Sequence, residues 1–193
     1  DRVVRRRQAQ RRLVLERLRR RPKLVVMDTM NFWMQIAMDS LLKTIAMVDV
    51  LTINEEEARQ LTGEYSLLKA ARAVLKMGPK YLVIKKGEHG ALLFNGANDE
   101  IFYAPALPLE EVFDPTGAGD SFAGGLIGYM ASTDDVTFGN LRNGVIVGSA
   151  LASFTVEKFG PERLVDLSRN ALADRIKSFR RLTHFDLELS ING

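Results

Sequence analysis

The sequence predicts an α/β layered fold with a mainly parallel central sheet flanked by helices. Two observations carry that prediction. Short apolar runs that end in a polar residue alternate with longer helical segments, the pattern of strands buried under crossover helices. The chain is also long enough for one sizeable core: it has 193 residues, of which 46% are hydrophobic and 26% charged.

The elements follow in order. "KLVVMD" (23–28) is an apolar run ending in an acid, as expected of a buried parallel strand. Residues 32–47 read as a helix, and "VDVLTI" (48–53) as the next strand. Asn54 is a good N-cap for the short helix "EEEARQLTG", which stops at Gly63. Ser66 caps "LLKAARAVLKMG", closed by Gly78. "KYLVIKKG" is a strand; "GALLFNG" and "EIFYAP" are two more, joined by a turn near Asn95–Gly96. "EVFD" leads into a glycine-rich loop. Residues 120–131 and 137–153 read as helices rich in Gly and Ala, able to pack closely, and a last helix covers 166–181. Ligands of such folds sit at the carboxyl ends of the strands. Three features are expected there: Asn54–Glu57, Lys85–Gly90 and the glycine-rich loop, each following a strand.

Composition excludes several classes. The chain has no cysteine, hence no disulfide framework and no thiolate metal site. His89 and His184 are too few for a metal site of their own. No apolar run is long enough to span a bilayer and no signal-peptide pattern is seen, which makes a cytoplasmic location the default and a membrane no partner. The net charge of +3 is unevenly spread: residues 1–21 hold ten arginines against Asp1 and Glu16, a local +8, which leaves −5 for residues 22–193. The arm is read as a solvated helix packing through Leu13, Val14, Leu15 and Leu18. It lacks the interleaved aromatics that stack bases, so nucleic acid is not the expected partner. The division is therefore an arginine-rich arm, 1–21, and one domain, 22–193.

The loop "DPTGAGDSFAGG" (114–125) carries the chemistry. Gly117 and Gly119 let backbone amides turn outward, and a helix starts at once, so its unpaired N–H groups and dipole make an anion site. A simple phosphate cradle would not also hold an acid. Asp120 fits if it takes a proton from a hydroxyl while the amides stabilise a moving phosphoryl group. The alternative is that Asp120 is only a helix cap. The loop is not a dinucleotide fingerprint, since Phe122 stands at the third glycine, nor a nucleophile elbow, since Ala123 replaces the closing glycine. No G-x-x-x-x-G-K-[ST] occurs.

"DPTGAGDSFAGG" resembles the C-terminal signature of the ribokinase-like (PfkB) carbohydrate kinases. "NEEEA" (54–58) is similar to that family's Asn-x-x-Glu motif, and "VIKKGEHGALLF" (83–94) to the strand–glycine turn–strand before the signature. Order and spacing agree from residue 23 to about 165. The resemblance implies a ribokinase-like fold and an ATP-dependent kinase, with Mg²⁺, acting on a hydroxyl of a sugar or nucleoside. Asp120 would be the base, and Gly117, Ala118 and Gly119 the anion hole. Asn54 and Glu57 would hold Mg²⁺ through water; a capped helix with solvated glutamates is the other reading. Gly87 and Gly90 would shape a nucleotide shelf that Lys85 joins, with a plain hairpin as the alternative. Asn143 and the stretch to Gly160 would flank adenine. Asp114 and the Thr116 carbonyl would help hold a monovalent cation such as K⁺. A homodimer is compatible with this picture. The family's N-terminal half, with its sugar motifs and β lid, has no match here; the chain joins the pattern near "PKLVVMDTMNFW". That leaves a second function class, a nucleotide-binding module without catalysis. Asp28 and Asn31 lie near the expected acceptor, although a strand-end carboxylate and a helix cap explain them equally well. Trp33 is read as core.

Overall fold

The computed structural model describes residues 14–184 and 186. Five strands form one sheet in the order β1 (Val26–Asp28), β2 (Val50–Asn54), β3 (Tyr81–Lys85), β4 (Ala91–Asn95) and β5 (Ile101–Ala104). β1, β2 and β3 pair in parallel, with Asp28 opposite Thr52 and Asn54 opposite Lys85. β4 is antiparallel to β3, and β5 antiparallel to β4. The sheet is therefore mixed, not mainly parallel. The reason is the short connection after Lys85: a parallel partner needs a crossover of a dozen or more residues, whereas Lys86–Gly90 can close only a hairpin. β5 nevertheless runs in the direction of β3, so four strands deliver their carboxyl ends to one edge.

Between β1 and β2 lie α1 (Asn31–Ile36) and α2 (Met38–Ile45), one expected helix broken at Ala37. α3 (Glu55–Thr62) and α4 (Leu67–Leu75) join β2 to β3. After β5 the chain runs irregularly to α5 (Ala118–Thr133) and α6 (Phe138–Thr155), then to a short turn α7 (Glu162–Val165) and α8 (Arg169–Thr183). "EVFD" is not a strand, so the glycine-rich loop does not follow one directly; it arrives at the carboxyl edge from β5 through residues 105–117.

Strand alternation sorts the core into two layers. Leu51, Ile53, Leu82, Ile84 and Phe94 face α1–α4 and pack with Trp33, Leu41, Ile45 and Val74. Val50, Val83, Ala91, Leu93 and Ala104 face the other way, against Phe122, Leu126 and Met130 of α5 and Leu141 and Val145 of α6. Small residues let α5 and α6 approach closely: a Cβ on Gly148 would lie 2.6 Å from the Phe122 carbonyl oxygen. Trp33 is core, as read from the sequence.

The arm is described only from residue 14. Leu15 packs on the first layer, but Val14 and Leu18 stay exposed, and Leu13 lies outside the described residues. Asp49 pins the following segment: its buried carboxylate accepts the Val25 amide at 2.9 Å and Arg21 at 3.1 Å. Among the described residues no helix is long and apolar enough to cross a membrane.

Candidate functional site

The carboxyl edge gathers Asp28 from β1, Asn54 from β2, Lys85 from β3, Glu57 from the first turn of α3 and the start of α5. Asn54 and Glu57 form a reciprocal cap. The Glu57 amide donates to Asn54 Oδ1 at 2.7 Å, and the Asn54 amide donates to Glu57 Oε2 at 3.0 Å. Glu57 is buried, not solvated, and its carboxylate also receives the Asn31 amide, which ties the start of α1 to the end of β2. Burial pushes the Glu57 carboxyl above its ordinary range. The backbone amides and Lys85 pull it back down, and Asp28 pushes it up. Asn31 is not a helix cap; Met30 holds that position and makes no side-chain cap bond.

Lys85 lies across the end of β2. Its Nζ donates to Asp28 Oδ2 at 2.7 Å, with both side chains partly buried. The other Asp28 oxygen accepts the Thr29 amide at 3.0 Å. The same Nζ sits 3.3 Å from where a Cβ of Gly119 would stand, so the ammonium rests on the start of α5.

Gly117 is left-handed at φ +84° and precedes α5. The Ala118 amide donates to the Pro115 carbonyl at 3.1 Å, and the Ser121 amide to Gly117 at 2.9 Å. The amides of Gly117, Gly119 and Asp120 have no acceptor among the described residues, whereas that of Ala118 is engaged by Pro115. The loop is stapled to the end of α6: Thr155 Oγ1 donates to Ser121 Oγ at 2.8 Å, and the Phe113 amide to the Val156 carbonyl at 2.8 Å. Sequence reasoning has no signal for these staples, whose partners lie 34 or more residues away.

Asp120 is exposed in the first turn of α5 and has no hydrogen-bond or ion-pair partner among the described residues. Asp114 turns back on its own loop. Its carboxylate accepts the Thr116 amide at 2.9 Å, and that bond with the Thr116 hydroxyl holds it below the usual carboxylate range. Gly87 (φ +56°) and Gly90 (φ +81°) shape the β3–β4 turn, and Gly160 (φ +57°) ends the segment after α6. Asn143 is exposed on α6, twelve residues before Thr155 and therefore about 18 Å along the helix from the loop. It is not brought into the cluster.

Comparison with known proteins identifies the family. A family model described as pfkB family carbohydrate kinase matches residues 13–166. The chain is 44% identical over 94 residues to a cytidine kinase of Thermococcus kodakarensis, covering 47% of this chain and 33% of that one. It is 31% identical over 121 residues to a nucleoside kinase of Methanothermobacter thermautotrophicus, covering 62% and 35%. The crystal structure of a ribokinase from Thermotoga maritima superposes with a TM-score of 0.66 at 27% identity, over 85% of this chain and 52% of that one. The chain thus spans about a third of the length of those two curated relatives and about half of that ribokinase.

Proposed function

The chain belongs to the pfkB family of carbohydrate kinases, and from that premise we propose that it carries the phosphoryl-donor and base machinery of an ATP-dependent kinase acting on a hydroxyl of a sugar or nucleoside. The observation that carries the reading is Asp120: an uncommitted carboxylate in the first turn of a helix whose Gly119 and Asp120 amides are free. The two curated relatives described above are by name a cytidine kinase and a nucleoside kinase, so nucleosides are the first acceptors to test.

The acceptor oxygen attacks the γ-phosphorus of ATP, the bond from that phosphorus to the β–γ bridging oxygen breaks, and ADP leaves. The hydroxyl proton passes to the Asp120 carboxylate. The amides of Gly117, Gly119 and Asp120 and the positive end of α5 stabilise charge on the phosphoryl oxygens. Lys85 adds a cation on the same side. The donors near the phosphates are hard oxygens, which suit Mg²⁺. Both Asn54 and Glu57 already bond within the chain, so they fit a role through water rather than as direct ligands. Bound there, Mg²⁺ would neutralise charge shared between the phosphates. Asp114 and the Thr116 carbonyl are the candidates for a K⁺ site, with Asp114 engaged by the Thr116 amide.

Calorimetry of Mg·ATP binding, followed by ADP release with nucleosides, pentoses and hexoses, tests the reading. Asp120→Asn is expected to keep nucleotide affinity and to lose about two to four orders of magnitude of turnover. A variant that keeps most of its turnover makes Asp120 a helix-start residue only. Affinity for Mg·ATP without any transfer, in a chain spanning half of a relative, supports the nucleotide-binding module instead.

A further inference from the structure

We infer that Asp28 is a positioning residue: it holds the Lys85 ammonium on the start of α5, so that a cation is in place where a nucleotide's terminal phosphate arrives. The inference rests on reading that helix start as the phosphoryl site. It assigns to the end of β1 a part in nucleotide recognition.

Three observations support it. First, the pair is made across the sheet. Asp28 and Lys85 end β1 and β3, and β2 lies between them. Lys85 must therefore reach over Asn54 to meet Asp28, a path that leaves Nζ beside Gly119. Second, the Asp28 carboxylate is itself fixed. One oxygen takes the Thr29 amide and the other takes Nζ, so the acid is set by its own backbone before it sets the lysine. Third, the position of the ammonium is costly without an anion. The start of α5 is the positive end of a 16-residue helix, and a cation beside it is repelled by the first-turn amides. Asp28 offsets that repulsion from one side. A phosphate oxygen entering from the other would meet amides and ammonium together, as charge-assisted hydrogen bonds. Without Asp28 the cation still feels Glu57, which lies towards β2 and α3, and would relax away from the start of α5.

An ion pair that merely fastens β1 to β3 makes a different prediction, and a nucleotide series separates the two. Calorimetry on the full chain compares Mg·ATP, Mg·ADP and AMP for the wild type, Asp28→Asn, Lys85→Met and the double variant, each checked by a thermal melt. The expected result is that Asp28→Asn weakens Mg·ATP about tenfold and leaves AMP nearly unchanged, the scale of one hydrogen bond to a charged group. Lys85→Met is expected to do the same, and the double variant no more than Lys85→Met alone. Should Asp28→Asn fail to fold, Asp28→Glu keeps the charge but moves it by a methylene, and is expected to lose part of the same triphosphate preference. Equal loss for ATP and AMP, or additive effects in the double variant, overturns the inference while leaving the kinase reading intact. A wild-type chain that binds no Mg·ATP overturns both.

Discussion

Replacing Gly90 by alanine is expected to be far more damaging than replacing Gly87, although both glycines belong to the same turn. A Cβ on Gly90 would lie 2.1 Å from the Ala104 carbonyl oxygen and 2.8 Å from the Ala106 amide nitrogen. Both are backbone atoms, so no side chain can swing aside. Gly90 also adopts φ +81°, ψ −146°, a region that only glycine enters freely and that costs another residue about 1–3 kcal/mol. Relieving the clash requires the end of β5 to move off β4, where Ala91 pairs with Ala104. Strain and displaced pairing together should remove at least about 3 kcal/mol, a large share of the roughly 5–15 kcal/mol typical of a folded domain. Gly87 has φ +56°, and a Cβ there would meet nothing within 4 Å, so its alanine variant should lose about 1–2 kcal/mol from the left-handed backbone alone. Urea unfolding of the two variants reads the difference directly. At this chain length about 3 kcal/mol corresponds to a fall in Tm of roughly 6–12 °C. A Gly90→Ala chain as stable as Gly87→Ala would refute the packing argument, and would return Gly90 to a role on the nucleotide shelf.

Other outcomes are as specific. Glu57 has its carboxyl raised by burial, so its neutral form favours the fold: that contribution is present below the ordinary glutamate value of 4.5 and is lost as pH rises through the raised one. Glu57→Gln should therefore gain stability relative to wild type from about pH 4.5 upward, while a Mg²⁺ titration of ATP binding shifts to higher concentration; a pH-independent difference in urea midpoints would contradict the burial argument. Arg175 donates to Ser153 at 3.1 Å and Glu157 at 2.5 Å and lies 3.8 Å from the centre of the Phe154 ring, with its side chain only 14% exposed. Arg175→Met should cost about 2–3 kcal/mol by leaving Glu157 half-paired and unfastening α8 from α6, and a loss below about 0.5 kcal/mol in a urea melt would show the cluster to be dispensable. Deleting residues 1–12 should leave Mg·ATP affinity unchanged in calorimetry. A steep salt dependence of binding to a DNA duplex that disappears with the deletion would instead give the arginines a nucleic-acid role.

Much of this was legible in the sequence, for reasons that also explain the exceptions. The strands and most helices can be placed because their apolar periods are local and each side of the sheet is buried. The antiparallel step at β3–β4 is legible too, in the five residues that separate Lys85 from Ala91, but alternation of strand and helix elsewhere outweighs it. Asp120 stands out because two glycines and an acid at a helix start are contiguous. The Asp28–Lys85 pair does not, because it depends on strand order, which sets the ends of β1 and β3 on either side of β2 at one edge. Asn143, which the resemblance sets beside adenine, stands twelve residues before the end of α6, and the rise of the helix carries it about 18 Å from the loop.

The commitments of the acids around the loop bear on which one can act as a base. Glu57 is buried and committed to the reciprocal cap of α3, so it belongs to the frame of the site rather than to its open face. Asp28 is ion-paired to Lys85 and holds that cation in place. Asp114 is held below the carboxylate range by its own loop, which makes it a poor proton acceptor. Asp120 alone among these four has no partner among the described residues. It can accept a proton without dismantling any contact that shapes the site. It also stands in the helical turn whose free amides would receive the phosphoryl group, so proton acceptance and charge stabilisation would fall within one residue of each other. A transferring phosphoryl group needs these two services at the same moment. The other three acids are spent on building the frame in which that is geometrically allowed.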